Sequence, residues 1–195
     1  MADNEPEHLM TENTTNPDLA ESDDGRGGFM LREILESVVI AVVLAILIKL
    51  FLFQNFAIPS GSMEPTLYSG DYIGVNKIMY KLSEPKRGDV IVFKYPIDPK
   101  REFVKRLIGL PGETIQIKDN RVFIDNKIIQ QPFLPVGLNY PNYGPFKIPS
   151  GKYFMMGDNR PHSNDSRSWG TVPQNNIVGK AIFIYWPVKR MQVLH

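Results

Sequence analysis

Cysteine is absent from the 195-residue chain, which excludes disulfides, thiolate metal sites and a cysteine nucleophile. Excess charge is absent as well. A formal net charge of +1 gives no reason to expect a nucleic-acid partner. Histidine is scarce: His8 and His195 lie near the chain ends, so only His162, with Asp158 or Asp165, is available for a Ser-His-Asp triad. No Gly-x-Ser-x-Gly elbow accompanies it, and His162 follows a proline in a polar loop, so a solvated loop residue is the simpler account. The oxygen-rich run around it lacks the alternating acids of a calcium loop. Neither a metal nor a cofactor is expected.

What the chain does have is strongly segregated. Residues 1–28 hold eight acids against one base, Arg26, among Pro, Asn, Thr and Gly. Such a stretch cannot bury enough apolar area to fold alone, and it reads as a disordered acidic tail. The anchor expected next covers 29–53, with its apolar run ILESVVIAVVLAILIKLFLF from Ile34 to Phe53. That run reaches the roughly 20 residues a membrane-spanning helix needs. Lys49 can snorkel to headgroups, and a buried core helix would show a polar face that Val38 to Ile48 lacks. A long acidic leader and a long apolar run favour an uncleaved anchor over a cleaved secretory signal. Arg26 and Arg32 precede the run, and after Lys49 no base appears until Lys77. The positive-inside rule therefore places the tail in the cytoplasm and residues 54–195 outside.

Beyond residue 70 the hydrophobic period is two. DYIGVNKI, DVIVFKY, EFVKRLIGL, ETIQIKD, RVFIDNKII, KYFMMGD and VGKAIFIYW read as strands bounded by turn formers. Asp119-Asn120 and Asp125-Asn126 are expected to turn tight hairpins. No amphipathic helix follows the anchor, and 132–150 reads as an irregular loop. The fold class is mainly β, with one N-terminal transmembrane helix ahead of a β-rich domain.

Three segments carry candidate chemistry: PSGSMEPTL, FVKRLIGLPGE and MGDNRPHSNDSRSWG. A serine hydroxyl needs a neighbouring base near neutral pH. A lysine can be that base when desolvation lowers its pKa from about 10.4 towards 7–8. Strand alternation places Lys105 between Phe103 and Leu107 on one face. Arg106, beside it, cannot deprotonate. Taken alone, Lys105 also reads as an edge-strand residue with its amine in water.

In this order behind an N-terminal anchor, PSGSMEPTL, RGDVIVF, VKRLIGLPGE and GDNRPHSNDSRSWG resemble the type I signal peptidases. The resemblance extends from Phe53 to the end and implies a signal-peptidase-like catalytic domain. It implies Ser62 as nucleophile and Lys105 as general base. Ser163, or failing that Ser166, would orient the lysine, and Asp165 and Arg167 match the family's Asp-Ser-Arg run. Asp158 and Asn159 match the Gly-Asp-Asn start, as positioning or turn-making residues. The Ser62 N–H and Ser60 hydroxyl would form the oxyanion hole, although Ser60 also reads as a turn-stabilising hydroxyl. Ile58, Pro59 and Val104 would line the substrate pockets.

The implied reaction is removal of signal peptides from exported precursors after small-x-small sites such as Ala-x-Ala. It would take place at the outer or periplasmic face of the bacterial plasma membrane, with precursor proteins and the lipid bilayer as partners. Phe56 and Met63, beside the nucleophile, either dip into the interface or pack in the core. The family's largest members add a second span and an extra β subdomain. The short Pro111–Ser150 stretch suggests a minimal version. Two competing readings are a self-cleaving Ser-Lys regulator and a peptide-binding module without catalysis. The first would carry a DNA-binding module where this chain has its acidic tail and anchor.

Overall fold

The computed structural model describes residues 24–194, with side chains described for 30–46 and 54–194. The expected acidic tail lies outside the described residues up to Asp23, and its last five residues, 24–28, begin a helix rather than staying disordered. The chain divides into two units, Met1–Ala45 and Ile46–His195. Helix α1 (Asp24–Leu52) accounts for the described part of the first and runs into the second. Its side chains from Val38 to Ile46 are apolar and exposed on every side. Among the described residues, no helix is long and apolar enough to cross a membrane. The side chains at 47–53 of the expected anchor are outside the described set.

The remainder is β structure. In chain order the strands are β1 (Phe53–Ala57), β2 (Tyr72–Asn76), β3 (Val90–Lys94), β4 (Glu102–Gly109), β5 (Thr114–Lys118), β6 (Arg121–Ile124), β7 (Lys127–Ile128), β8 (Tyr143–Lys147), β9 (Lys152–Met156), β10 (Val172–Pro173), β11 (Ile177–Trp186) and β12 (Gln192–Val193). The larger sheet runs β1-β2-β11-β3-β4-β9-β10, with β12 on β11, and the smaller runs β7-β6-β5-β8. Every pairing is antiparallel. Two one-turn helices, α2 (Met79–Leu82) and α3 (Ser166–Trp169), interrupt it.

All seven expected strand segments form. Asp119, Asn120, Asp125 and Asn126 have φ of 50, 58, 47 and 66 degrees, the left-handed pair that a two-residue hairpin turn requires. Their strands close at Lys118↔Arg121 and Ile124↔Lys127. The stretch 132–150 is less irregular than expected, because β8 lies within it. Tyr143-Gly-Pro-Phe-Lys147 pairs with β5 around a register shift. Gly144 has φ of 77 degrees, and a Cβ there would meet Ile115 O at 2.7 Å. A strand bent through Gly-Pro carries no period-two signal.

Three cores hold the sheets, the third formed by Ile91, Phe93, Leu107, Tyr153, Met155 and Val172. Ile58, Met63 and Leu67 fill one beneath the larger sheet, against Ile73, Val75, Val92 and Ile184. Met63 is 1% exposed, so of its two expected placements the core is correct, and Phe56 packs against the same cluster half-buried. The second core joins the sheets: Ile115, Ile117, Val122 and Ile124 meet Ile108, Phe154 and Met156. Burying each such side chain contributes about 1.5–3 kcal/mol, which fixes the loops the cores support.

Asn126 makes a clean test of the turn geometry. Asn126→Val should lower unfolding free energy by about 1–2 kcal/mol in urea titrations, since a β-branched residue resists positive φ, while Asn126→Gly should stay within about 0.5 kcal/mol.

Candidate active site

Leaving β1, the chain is tied at once to the strand that follows. Ile58 N–H donates to Asp71 O at 2.8 Å, and Gly70 N–H donates to Ile58 O at 2.9 Å. Between these ties Gly61–Met63 makes a 3₁₀ turn. Buried Ile58 ahead of it and buried Met63 at its last position pin the turn, leaving Ser62 half-buried between them.

Lys105 arrives from the centre of β4, where it pairs with Ile91 of β3. Its Nζ donates to Ser62 Oγ at 2.7 Å and to Val104 O at 3.0 Å. The residue is only 5% exposed, and its ammonium lies 5.5 Å from the centre of the Phe103 ring. Tyr95 stacks on that ring at 4.5 Å. Burial lowers the lysine pKa to about 8, against the opposing pull of the Asp165 and Asp158 charges. The apolar flank expected from strand alternation is therefore present as Phe103.

Ser60 precedes the 3₁₀ turn in extended conformation and makes no capping bond. Its hydroxyl donates to Ser62 Oγ at 3.4 Å, within the turn segment. Ile58, Pro59, Ser60, Ser62, Val104 and Lys105 all line one cleft of ≈ 870 Å³. The cleft lies between two open strand edges. β1 is the outermost strand of its sheet. β9 joins β4 only from Arg106 onward, so no strand among the described residues covers the far edge of Glu102–Lys105.

Of the remaining expected residues, His162 and Asn159 also line the cleft, whereas Ser163, Asp165, Ser166 and Arg167 do not. Asp165 caps α3 by accepting from Arg167 N–H. It also pairs with the Arg167 guanidinium at 2.7 Å and accepts from Gly157 N–H at 3.0 Å. Ser163 Oγ is buried without a hydrogen-bond partner among the described residues, so no bond to Lys105 forms here. It lies against Gly157, where an added Cβ would sit 2.2 Å from Ser163 Oγ and 2.4 Å from Ser62 O. Ser166, its competitor for the orienting role, is fully buried and its hydroxyl accepts from Met155 N–H at 2.9 Å. His162 is exposed, and its Nδ1 lies 3.2 Å from Asn159 Oδ1.

Sequence reasoning left two supports undefined. Asp158, 0% exposed, accepts from Arg106 through both carboxylate oxygens and from Thr66 Oγ1 at 2.6 Å. The Arg106 guanidinium also lies 3.9 Å from the centre of the Phe133 ring. Asn159 donates its side-chain amide to Gly61 O at 3.0 Å and its main-chain N–H to Ser62 O at 3.1 Å. The Gly-Asp-Asn run singled out both residues, but nothing in the sequence marks Thr66. Among the described residues, no group of acids and histidines could hold a metal ion.

Residues 31–186 match the model of the family described as signal peptidase, peptidase S26. The chain belongs to the signal peptidase family. Among its relatives, signal peptidase I T of Bacillus subtilis is 41% identical over 167 residues, covering 80% of this chain and 86% of the relative. Signal peptidase I of Leptolyngbya laminosa is 40% identical over 169 residues, covering 83% and 82%. Probable signal peptidase I-2 of Synechocystis is 39% identical over 168 residues, covering 83% and 76%. Membership makes the chain an enzyme of peptide-bond hydrolysis.

Gly157 is where these supports meet Ser62. Gly157→Ala should still fold but lose about 1–3 kcal/mol of unfolding free energy, and it should lose about 10²-fold or more in kcat, because relief of the clash displaces the Ser62 backbone or Ser163. Parallel circular-dichroism melts and precursor-cleavage rates would check this.

Proposed function

We propose that the protein is a membrane-anchored serine endopeptidase that removes signal peptides from exported precursors, with Ser62 as nucleophile and Lys105 as general base. The observation that carries this reading is the 2.7 Å contact between Lys105 Nζ and Ser62 Oγ at a lysine whose pKa burial lowers to about 8. At pH 7 such an amine is neutral in about a tenth of molecules, against about 0.03% for an ordinary lysine. It can therefore accept the hydroxyl proton as Ser62 Oγ attacks the scissile carbonyl. The Ser62 N–H and Ser60 hydroxyl then hold the developing oxyanion. Lys105 passes its proton to the departing amine, and water activated by the same amine releases the acyl group. Ser163, a buried hydroxyl without a partner beside Ser62, is better placed than Ser166 to steady the lysine. Asp165 and Arg167 hold the backbone around it.

The open edges of β1 and of Glu102–Lys105 support an extended substrate that adds main-chain hydrogen bonds on entering the cleft. Ile58, Pro59 and Val104 line it. Their bulk suits small side chains at the two specifying positions of an Ala-x-Ala site. An exported precursor is the substrate class, and the site needs no cofactor or metal for this chemistry.

Lipid anchoring is supported by the unbroken apolar exposure of α1 from Val38 to Ile46, a surface that water would not favour. Bases concentrated before the run support an N-terminus in the cytoplasm, a single span across the bacterial plasma membrane and a catalytic unit on its outer or periplasmic face. The protein should remain in the membrane pellet after carbonate washing, and release into the supernatant would refute the anchor.

The dyad is tested on an Ala-x-Ala precursor in detergent. Ser62→Ala and Lys105→Ala should each abolish cleavage, whereas His162→Ala should cost less than about tenfold, because loss of a triad base would cost about 10⁴-fold or more. Because the base must be neutral, kcat/KM should rise with pH through an apparent pKa of about 8. A profile still climbing at pH 10 would mean a lysine in water, and cleavage surviving in Lys105→Ala would remove the dyad.

A further inference from the structure

One residue beside the cleft makes contacts that the proposed dyad leaves unexplained. Asn159 lies at the centre of a tight turn, with φ −75, ψ 72 and Arg160 N–H donating to Asp158 O at 2.9 Å. That is an inverse γ-turn, and it points the main-chain N–H and the side-chain amide of one residue at successive carbonyls of the Gly61–Met63 turn.

The consequence follows from peptide planarity. Gly61 C=O and Ser62 N–H belong to one trans peptide unit, and across such a plane they point in opposite directions. Asn159 Nδ2 holds Gly61 O at 3.0 Å, which aims Ser62 N–H away from Asn159. The Asn159 N–H on Ser62 O at 3.1 Å fixes the next plane. Both peptide planes flanking the Ser62 Cα are thereby fixed by a residue 97 positions later. Gly61 O also accepts from Glu64 N–H at 3.1 Å, and a carbonyl that accepts two bonds polarises its own amide and strengthens the N–H on the other end.

The amide cannot turn over freely. Gly61 O is an acceptor only, so the NH₂ end must face it and Oδ1 must face His162. His162 Nδ1, 3.2 Å from that oxygen, then carries a hydrogen, an assignment made from the network. A flipped amide would set oxygen against oxygen at Gly61.

We infer that Asn159 is a positioning residue for the oxyanion hole: it sets the direction of the Ser62 N–H through the Gly61–Ser62 peptide plane. The inference rests on the reading of Ser62 as nucleophile and oxyanion donor.

The test uses Asn159→Asp in the full-length protein. This variant keeps the side-chain size and the main-chain bond to Ser62 O but loses the donor to Gly61 O. With an Ala-x-Ala precursor, kcat should fall by about 10- to 100-fold with KM within about threefold, a split that general loosening would not produce. A peptide boronic acid, whose adduct with Ser62 puts an oxygen in the oxyanion position, should weaken in the same proportion, while the cleaved product peptide should bind as before. Asn159→Ala should match Asn159→Asp, which decides alone if the alanine variant fails to fold. Either kcat within about twofold of wild type, a loss confined to KM, or unchanged boronic acid affinity overturns the inference. Ser62→Ala run alongside keeps the two readings apart. If it still cleaves, the nucleophile is wrong; if it is dead while Asn159→Asp is fully active, only the positioning role fails.

Discussion

A primary amine held out of water beside an alcohol oxygen is the constraint around which this fold is arranged. Lys105 is 5% exposed, yet its nearest polar neighbours are a hydroxyl and a main-chain carbonyl, neither of which offers it a full negative charge. That combination lowers its pKa. A carboxylate at the same distance would hold the amine charged. The two acids that act on it do so less strongly than burial, and each is engaged with an arginine: Asp158 with Arg106, Asp165 with Arg167. Pairing draws each carboxylate towards its own cation.

These ion pairs also connect distant parts of the chain. Arg106 is the residue after the lysine, so the strand that delivers the amine also delivers the cation that holds Asp158. Asp158 is followed directly by Asn159, which clamps the serine turn. A buried charge pair is weak support for stability, because desolvation offsets much of its attraction. Its value here is registration: β4, the 3₁₀ turn and the Gly157–Arg167 segment keep a fixed mutual position across separations of 92 and 52 residues. The Arg106 contact with Phe133 extends that registration to the loop that follows the smaller sheet's hairpins.

Much of this was legible in the sequence, for local reasons. The hairpins followed from Asp-Asn pairs, which tolerate positive φ, and the strands from period-two patterning. The strand β1 was hidden because Phe53–Ala57 continues an apolar helix with no breaker between them. The strand β8 was hidden because Gly144 and Pro145 erase its alternation. At the site, Ser62 and Lys105 were legible as a candidate nucleophile and a candidate base, but the dryness of Lys105 depends on Phe103, Tyr95 and neighbours that only the fold assembles. The role of Asn159 could not be read from sequence, because it arises from the direction of two carbonyls in a turn almost a hundred residues earlier. Likewise, only burial could separate Ser166, committed to Met155, from Ser163.

The half-covered strand β4 has a consequence for solubility and association. Uncovered strand edges normally invite a second sheet, the route by which β proteins aggregate. Here the bare edges of β1 and of Glu102–Lys105 border a single cleft. Unpaired main-chain groups set on two sides of one cleft offer a strand two partners at once, a geometry unlike the single flat edge along which sheets stack side by side.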